Sequence, residues 1–295
     1  MRLGIIGLPQ TGKTTLFNAL TRGSQPTGPA SGKIEVHTAV VDVPDPRVDK
    51  LSEMFKPKKT IYTKVTYVDI AGLDGSAGKA GISGALLNNL SQMDGFIHVV
   101  RAFADDNVPH VRETIDPLRD IQAMDSELVL NDLIAVERKL ERLAEEKKKG
   151  AGREKAVIER EAVLFERFHE ALAAETPLRD LDVSTEEMKM LSGFGFLSQK
   201  PMLLVLNLSE GQAEPAIEYG HKHTKIVALQ GKLEADIAQL SPDEAQMFLA
   251  EYHIEEPSLN RMIRWSYDLL GLQSFFTAGE DECRAWTVHR GATAP

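Results

Sequence analysis

The sequence predicts an α/β fold in which a doubly wound, mostly parallel sheet is interrupted by an antiparallel helical hairpin. Short apolar runs alternate with helical stretches over roughly the first 125 residues, which is typical of a sheet with helices on both faces. The strand pattern then stops between about 126 and 175, where helical periodicity takes over. It returns near residue 202, so a single α/β domain with a helical insertion accounts for all three observations.

The first strand, Leu3–Ile6, leads into a Gly-rich loop and then a helix. Residues 7–14 read Gly-Leu-Pro-Gln-Thr-Gly-Lys-Thr, a complete G-x-x-x-x-G-K-[ST] phosphate-binding loop. Backbone N–H groups of such a loop surround the α- and β-phosphates, Lys13 reaches the β/γ oxygens, and the Thr14 hydroxyl ligates Mg²⁺. A strand, a loop and a helix N-terminus in this order indicate a nucleoside triphosphate site.

Strands and helices then alternate in the order expected of this fold. Residues 34–43 predict a strand, and it ends where Asp45 can cap a helix whose first residue is Pro46. The other predicted elements of this part are strands at 64–69 and 96–100 and a helix at 84–93.

A second phosphate-side motif, Asp-Ile-Ala-Gly at residues 69–72, ends one of these strands. The Asp69 carboxylate can hold Mg²⁺ through water, and the N–H of Gly72 can sense the γ-phosphate. The next residue is Leu73, where Ras-like GTPases place a glutamine that orients the attacking water. Either another group positions the water, or hydrolysis is slow until a partner completes the site. The Gly-rich stretch 74–81 is expected to be a mobile switch.

The helical insertion carries a heptad seam. Residues 150–152 interrupt it, which predicts two antiparallel helices of about 22 residues, each about 35 Å long. The charged outside is either a solvated face or an arm that binds a partner. A basic cluster near the tip motivates the hypothesis that the groove between arm and core carries RNA. The cluster consists of Lys147, Lys148, Lys149 and Arg153, and the seam of Val129, Leu133, Val136, Leu140, Leu143, Ile158, Ala162, Phe165, Phe168 and Leu172.

The strand pattern returns after a capping box at residues 184–187, which opens a short helix. Strands are predicted at 202–206 and 225–229, and helices at 235–240, 242–251 and 257–270, before a last strand-like run at 284–288.

The residues after strand 202–206 read Asn-Leu-Ser-Glu, where GTPases carry Asn-Lys-x-Asp. The aspartate of that motif accepts hydrogen bonds from N1–H and the 2-amino group of guanine, whereas adenine has no N1–H. Glu210 is one methylene longer and is displaced from this bidentate geometry, so ATP is favoured. Alternatively, Glu210 is a surface carboxylate and another segment reads the base. A GTPase with a degenerate motif and a nucleotide-sensing module without turnover therefore stay open.

Composition narrows the class of protein. The 295 residues carry a formal net charge of −10, so no global basic field points to nucleic acid. The single cysteine permits no intrachain disulfide and favours the cytosol. No signal peptide is expected, because the N-terminal apolar stretch is short, and no apolar run reaches the roughly 18 residues that a membrane span needs. We expect a cytoplasmic protein, a monomer, with no membrane partner.

Together these motifs resemble the YchF, or Obg-like ATPase, family of translation-factor-related P-loop NTPases, and the hairpin lies where that family inserts a coiled-coil arm. The resemblance implies ATP binding and hydrolysis, Mg²⁺ as cofactor, and association with ribosomes or RNA. It also implies a C-terminal TGS domain, which is expected to be truncated or naturally absent because only 292–295 look like its opening. The similar stretches are residues 7–9, 44–47, 68–73, 207–210 and 284–287.

Three positions depart from the family pattern. Gln10 replaces an asparagine that is associated with a potassium site, which leaves potassium activation open. Lys33 stands where the family has a switch threonine that contacts Mg²⁺ and the γ-phosphate. The candidate replacements for that threonine are Thr27, Ser31 and Thr38. Residues 230–232 read Gln-Gly-Lys in place of Ser-Ala-Lys, although 229–231 can still present backbone groups to a purine.

The sequence thus predicts an ATPase of low intrinsic activity that works as a molecular switch. Lys13 is the predicted catalytic residue, Thr14 and Asp69 are the predicted Mg²⁺ ligands, and no side chain qualifies as a general base. The predicted nucleotide contacts are Leu8, Pro9, Gln10, Thr11, Gly12, Lys13, Thr14, Thr15, Gly72, Asn207, Leu208, Glu210, Leu229, Gln230 and Gly231. The predicted domains are a nucleotide-binding domain in two parts (1–125 and 181–274), a coiled-coil insertion (126–180) and the start of a truncated TGS-like segment (275–295).

Overall fold

A six-stranded sheet forms the centre of the structure, a computed structural model that describes residues 1–23, 25, 36–70, 73, 82, 84–149, 153–191, 193–252 and 254–293. The strands are β1 Arg2–Ile6, β2 Val36–Asp42, β3 Lys59–Ile61, β4 Lys64–Ile70, β5 Gly95–Arg101, β6 Met202–Asn207, β7 Thr224–Leu229, β8 Leu272–Ala278 and β9 Glu282–His289. The helices are α1 Lys13–Thr21, α2 Pro46–Phe55, α3 Gly84–Ser91, α4 Pro117–Lys149, α5 Lys155–Ala173, α6 Thr185–Met190, α7 Gly231–Gln239, α8 Pro242–Glu251 and α9 Ser258–Leu269, with a 3-10 turn at Leu178–Asp180.

The central sheet has the strand order β2-β4-β1-β5-β6-β7. Every neighbouring pair in it is parallel except β2 with β4, which confirms the predicted α/β class with a mostly parallel sheet. Parallel strands joined by crossover helices bring their carboxyl ends to one edge of the sheet. The loop after β1, the end of β4 and the loop after β6 therefore lie side by side, and these segments carry the predicted motifs.

The core lies on both faces of this sheet. On one face Ile97 and Val205 share a buried cluster with residues of α1 and α9. On the other face Phe96 and Leu204 share a cluster with residues of α3 and the beginning of α4. Strands that are buried on both faces consist of nearly continuous apolar residues, which is why the sequence shows them clearly.

The hairpin is formed by α4 and α5, but α4 is 33 residues long, well beyond the predicted length of about 22. Its first turns belong to the sheet domain, where Ile121 and Leu128 are buried. Its later turns carry Val136 and Leu143, which share a third buried cluster with Phe165 of α5. One helix thus serves both the sheet and the arm. None of the helices in the described ranges is long and apolar enough to cross a membrane.

Buried polar contacts fasten the base of the arm to the sheet domain. Arg179, in the 3-10 turn after α5, donates to Asp125 of α4 and to the Tyr219 hydroxyl, each at 2.6 Å. Tyr219 in turn donates to the other carboxylate oxygen of Asp125. Further along α4, Asp132 accepts from the main-chain N–H and the hydroxyl of Ser198, at 2.7 and 2.6 Å. Both carboxylates lie on α4, so this helix determines how the arm leaves the sheet.

A second sheet has the order β3-β9-β8. Its middle strand β9 is parallel to β3 and antiparallel to β8. The sequence indicates β9 but not β3, a strand of three residues that has no hydrophobic alternation of its own. The strands β8 and β9, which contain most of the predicted segment 275–295, therefore share a sheet with residues 59–61 of the first half of the chain. The assignment of this segment to a separate TGS-like unit stays a prediction, as do the other domain boundaries.

Candidate nucleotide site

The phosphate loop connects β1 to α1 at the carboxyl edge of the sheet. Gly7 has a φ of +148° and Gly12 a φ of +92°, values that favour glycine. A Cβ on Gly7 would lie 2.4 Å from the carbonyl oxygen of Val99, and one on Gly12 would lie 2.3 Å from Nδ2 of Asn207. Both glycines of the motif thus let the loop lie directly against the ends of β5 and β6.

The other predicted nucleotide contacts of this loop differ in whether their side chains are buried or exposed to solvent. The Leu8 side chain is buried in the core, and the Thr11 hydroxyl donates to the Leu8 carbonyl at 3.1 Å. These two residues therefore offer main-chain groups to a ligand. Gln10 is exposed, with a φ of +62°, while Pro9 and Thr15 are half-buried.

Lys13, the first residue of α1, folds back over the loop. Its Nζ donates to the carbonyl oxygens of Gly7 at 2.9 Å and Leu8 at 2.7 Å. Desolvation lowers the pKa of Lys13 to about 8, although the negative charge of Asp69 acts in the opposite direction. The ammonium group is thereby held beside the phosphate loop. When a nucleotide binds there, Lys13 can donate its hydrogen bonds to phosphate oxygens in place of these carbonyl oxygens.

Thr14 and Asp69 meet across α1 and β4. The Thr14 hydroxyl donates to Oδ2 of Asp69 at 3.0 Å. The other carboxylate oxygen, Oδ1, is buried and has no hydrogen-bond partner within the described ranges. Burial raises the pKa of Asp69, while the Thr14 hydrogen bond and the charges of Lys13 and His37 favour the ionised form. A hydroxyl beside a buried carboxylate with an unused oxygen fits the oxygen ligands that Mg²⁺ prefers.

Asn207, the last residue of β6, joins three segments of the site. Its Nδ2 donates to the Thr11 carbonyl at 3.0 Å, and its Oδ1 accepts from the N–H of Gly231 at 2.9 Å. Its main-chain carbonyl accepts from the N–H of Ala102 at 2.9 Å. The side-chain amide of this predicted nucleotide contact is therefore occupied by protein groups and holds the phosphate loop to α7, while its main-chain carbonyl bonds the end of β5.

The segment predicted around the base lies beside Asn207. Leu208 is buried, its N–H donates to the Leu229 carbonyl at 2.9 Å, and Glu210 is exposed. Gln230 is half-buried and precedes α7, which begins at Gly231. The predicted start of this helix at 235 is wrong. The Gly231 N–H is satisfied by the Asn207 side chain from another strand, a long-range cap that local sequence does not reveal.

Most of the predicted switch region, including the Gly-rich stretch 74–81, lies outside the described residues. Gly72, Lys33, Thr27 and Ser31 lie outside the described residues. Thr38 lies on β2 and is exposed. Leu73 is only 2% exposed and belongs to the same buried cluster as Leu8 and Leu86, so its side chain is part of the core.

Sequence reasoning misses Gln212. Its side chain contacts both the loop after β6 and the end of β5. No phosphate or base motif includes a residue at this position, so only the three-dimensional contacts identify it.

Comparisons with known proteins agree with this geometry. A family model described as 50S ribosome-binding GTPase matches residues 2–139. The "Ribosome-binding ATPase YchF" of Bacillus subtilis is 39% identical over 307 aligned positions, which cover 99% of this chain and 82% of that protein. Its counterpart in Escherichia coli O157:H7 is 40% identical over 303 positions, with 100% and 82% coverage. A solved structure, the Schizosaccharomyces pombe YchF GTPase, is 26% identical with a TM-score of 0.78, and the match covers 100% of this chain and 82% of that one.

Proposed function

The chain belongs to the family of YchF ribosome-binding ATPases, and from this premise we propose that it is a Mg²⁺-dependent, ATP-hydrolysing switch that associates with the ribosome. One observation carries the proposal: Thr14 of the phosphate loop, next to Lys13, donates a hydrogen bond to the buried carboxylate of Asp69. The other oxygen of that carboxylate, Oδ1, has no hydrogen-bond partner within the described ranges. A ribosomal partner would place the protein in the cytoplasm.

Each polar residue of the loop has a role in the proposal. Lys13 and the loop N–H groups stabilise negative charge on the transferring phosphoryl group. Thr14 and Asp69 would hold Mg²⁺, which would supply positive charge against the phosphates of the nucleotide. Nucleotide binding then requires Lys13 to exchange its bonds with the Gly7 and Leu8 carbonyls for bonds with phosphate oxygens.

The intrinsic hydrolysis rate in this proposal is low. Leu73 is buried in the core and has no group that orients water, and we name no general base among the described residues. Completion of a comparable site by a partner raises turnover by about 10³–10⁵. We therefore expect the ribosome to stimulate hydrolysis, in keeping with a switch whose state depends on its partner.

ATP is the favoured nucleotide because of Glu210. The shorter aspartate of the GTPase motif pairs with two donors of guanine, and a polar pair of this kind discriminates strongly only when its geometry fits. Glu210 is exposed at the tip of its loop, and its extra methylene displaces the carboxylate from that geometry. The loss of guanine selection leaves the purine to be bound by the loop that carries Glu210, together with main-chain groups around Leu229 and Gly231.

Calorimetric titration with Mg·ATP and, separately, Mg·GTP tests this function. We expect at least tenfold tighter binding of ATP, and we expect Lys13→Ala to abolish tight binding. A preference for GTP would contradict the role of Glu210 but keep the switch. Binding of neither nucleotide, or unchanged affinity in Lys13→Ala, would overturn the proposal.

A GTPase is the second candidate. The family model matched by residues 2–139 is described as a GTPase, and so is the solved Schizosaccharomyces pombe protein. Burial of Leu73 favours a third candidate, a nucleotide-sensing module that binds without turnover. Phosphate release from ATP and from GTP, each measured with and without ribosomes, separates these candidates. The ATPase and the GTPase would differ in the nucleotide they hydrolyse, and the sensing module would release no phosphate in any case.

A ribosome contact is proposed at the tip of the arm. Lys148 is exposed there on α4. Lys147 lies 3.4 Å from a glutamate of α5, and Arg153 pairs with Glu146 and Glu161 at 3.0 and 2.5 Å. Two of the basic residues are thus partly neutralised within the hairpin, and replacing Arg153 would also loosen it. Lys148 is the cleaner residue with which to test contact with RNA.

Lys148→Glu, compared with Lys50→Glu on the exposed surface of α2, tests the arm-tip contact. We expect Lys148→Glu to weaken co-sedimentation with ribosomes. The slope of log affinity against log salt should become shallower by about one, because the variant neutralises one phosphate fewer. Equal ribosome binding by the two variants would contradict the contact. Nucleotide affinity should be the same in both, since neither residue lies near the phosphate loop.

A further inference from the structure

Gln212 closes a ring of hydrogen bonds behind the loop that carries Glu210. Its Oε1 accepts from the main-chain N–H of Ser209 at 2.8 Å. Its Nε2 donates to the main-chain carbonyl of Ala102 at 2.8 Å. Its own main-chain N–H donates to the Ser209 carbonyl at 3.2 Å. One side chain therefore satisfies both a donor in the base loop and an acceptor at the end of β5.

This ring determines where Glu210 stands. Glu210 and Gly211 are the two central residues of the turn between Ser209 and Gln212, and Gly211 has a φ of +69°. A turn with positive φ at its third residue is suited to glycine and has a defined shape. Gln212, the last residue of the turn, bonds both main-chain groups of Ser209, the first residue, and also bonds Ala102, so the main chain of Glu210 between them is held in one position.

The anchor at the end of β5 is itself fixed. The Ala102 N–H donates to the Asn207 carbonyl at 2.9 Å. The neighbouring Arg101 is only 1% exposed, and it donates to the carbonyls of Phe103 at 3.1 Å and Val108 at 2.6 Å. Gln212 thus ties the base loop to a rigid strand end, and not to another mobile loop.

We propose that Gln212 is a positioning residue for purine selection, which holds the loop of residues 208–210, just after the end of β6, at one distance from the base. This inference rests on the proposed nucleotide function. Gln212 acts through Ser209 and Glu210 and does not itself bind the base. The phosphate loop is held by separate bonds through Asn207 and Lys13, so Gln212 should affect binding of the base but not of the phosphates.

The test compares three ligands on the full chain: Mg·ATP, Mg·GTP and inorganic tripolyphosphate, which has no base. Gln212→Ala removes two hydrogen bonds, each of which contributes a several-fold change in an equilibrium constant, so we expect Kd for Mg·ATP to rise about tenfold. The ratio of the Kd values for GTP and ATP should move towards one. The Kd for tripolyphosphate and kcat should stay unchanged, whereas KM should rise with Kd.

Two further variants sharpen the result. Gln212→Glu keeps an acceptor for the Ser209 N–H but places a carboxylate oxygen against the Ala102 carbonyl, so its Kd for Mg·ATP should be at least as high as that of Gln212→Ala. Gln199→Ala is the matched control, because the Gln199 amide donates to Met188 Sδ away from the site. It should leave all three Kd values unchanged.

The outcomes are distinct. Suppose that the wild type binds ATP and that Gln212→Ala has the same Kd for ATP and the same ratio of Kd values for GTP and ATP. This result would overturn the inference and leave the proposed function intact. An equal loss for ATP and tripolyphosphate would mean general loosening and would also overturn it. Failure of the wild type to bind any nucleotide would overturn the proposed function and this inference together.

Discussion

The side-chain amide of Asn207 donates to the main-chain carbonyl of Thr11 at 3.0 Å, so the end of β6 is bonded directly to the phosphate loop. The same amide accepts from the N–H of Gly231, the first residue of α7, at 2.9 Å. A residue of the base-side motif thus holds the main chain that would bind phosphate. A change at Asn207 itself would therefore affect affinity for both the base and the phosphates.

Gly12→Ala should break this link. The added Cβ would lie 2.3 Å from Nδ2 of Asn207, and the φ of +92° is unfavourable for alanine. We expect a loss of about 1–3 kcal/mol in the free energy of unfolding and at least tenfold weaker Mg·ATP binding. Thermal unfolding and calorimetry measure the two effects.

Gly84→Ala, at the start of α3, is the matched control for this substitution. A Cβ at this position meets no atom of the described residues within 4 Å, so stability should stay the same or rise by a few tenths of a kcal/mol. Similar losses in both variants would show that the close approach of Asn207 is not the cause.

Nucleotide affinity should fall as the pH rises above 8. Desolvation lowers the pKa of Lys13 to about 8, so the free protein loses the ammonium charge there. Phosphate binding favours the charged form, and binding at pH 9 must therefore take up a proton. We expect Kd for Mg·ATP to rise up to tenfold per pH unit above 8. Calorimetry at pH 9 in two buffers with different ionisation enthalpies measures the uptake; no uptake and a constant Kd from pH 7 to 9 would contradict this role of Lys13.

Asp69→Asn should remove the effect of Mg²⁺ on nucleotide binding. The substitution replaces a charged oxygen ligand by a neutral amide at the position where Oδ1 is buried and unpartnered within the described ranges. We expect ATP to bind the variant with the same affinity in Mg²⁺ and in chelator, whereas Mg²⁺ tightens binding by the wild type. Asp94→Asn is the control, because Asp94 accepts from the Arg2 N–H at 2.7 Å at the opposite end of β1. Retention of the full Mg²⁺ effect in Asp69→Asn would exclude Asp69 as a ligand.

The parts of the fold that sequence predicts well are those with local causes. The phosphate loop and the motif after β6 each follow a strand buried on both faces, and a continuous apolar run followed by a polar motif is visible in sequence. The start of α7 was not predictable, because its first N–H is capped by Asn207 from a distant strand. The length of α4 was also hidden, since its sheet-facing turns and its heptad seam form one uninterrupted helix. Gln212 shows the same limit, because its partner Ala102, at the end of β5, lies 110 residues away in the sequence.

Asp132, in the part of α4 that joins the sheet, provides a prediction about pH and stability. Its buried carboxylate accepts from the N–H of Leu197 at 2.9 Å and from the N–H and hydroxyl of Ser198 at 2.7 and 2.6 Å. Burial nevertheless raises the pKa of Asp132 from 3.8 to about 6. Between these two values the folded chain binds more protons than the unfolded chain, so this group makes stability fall as the pH rises. The total effect is about 3 kcal/mol.

Asp132→Asn should remove this decline because an amide does not ionise. The variant should be less stable than the wild type at pH 4, since the protonated carboxyl group still presents two oxygens to the N–H groups of Leu197 and Ser198, whereas the amide presents one. The difference in unfolding free energy should then narrow by about 2–3 kcal/mol as the pH rises to 7, because only the wild type must bury a charge. Urea unfolding from pH 4 to 7 measures this, with Asp236→Asn on the exposed side of α7 as a control whose curve should run parallel to the wild type. If the difference in unfolding free energy between wild type and Asp132→Asn did not change with pH, the raised pKa would be contradicted. It would mean that the three hydrogen bonds keep the carboxylate ionised over this whole pH range.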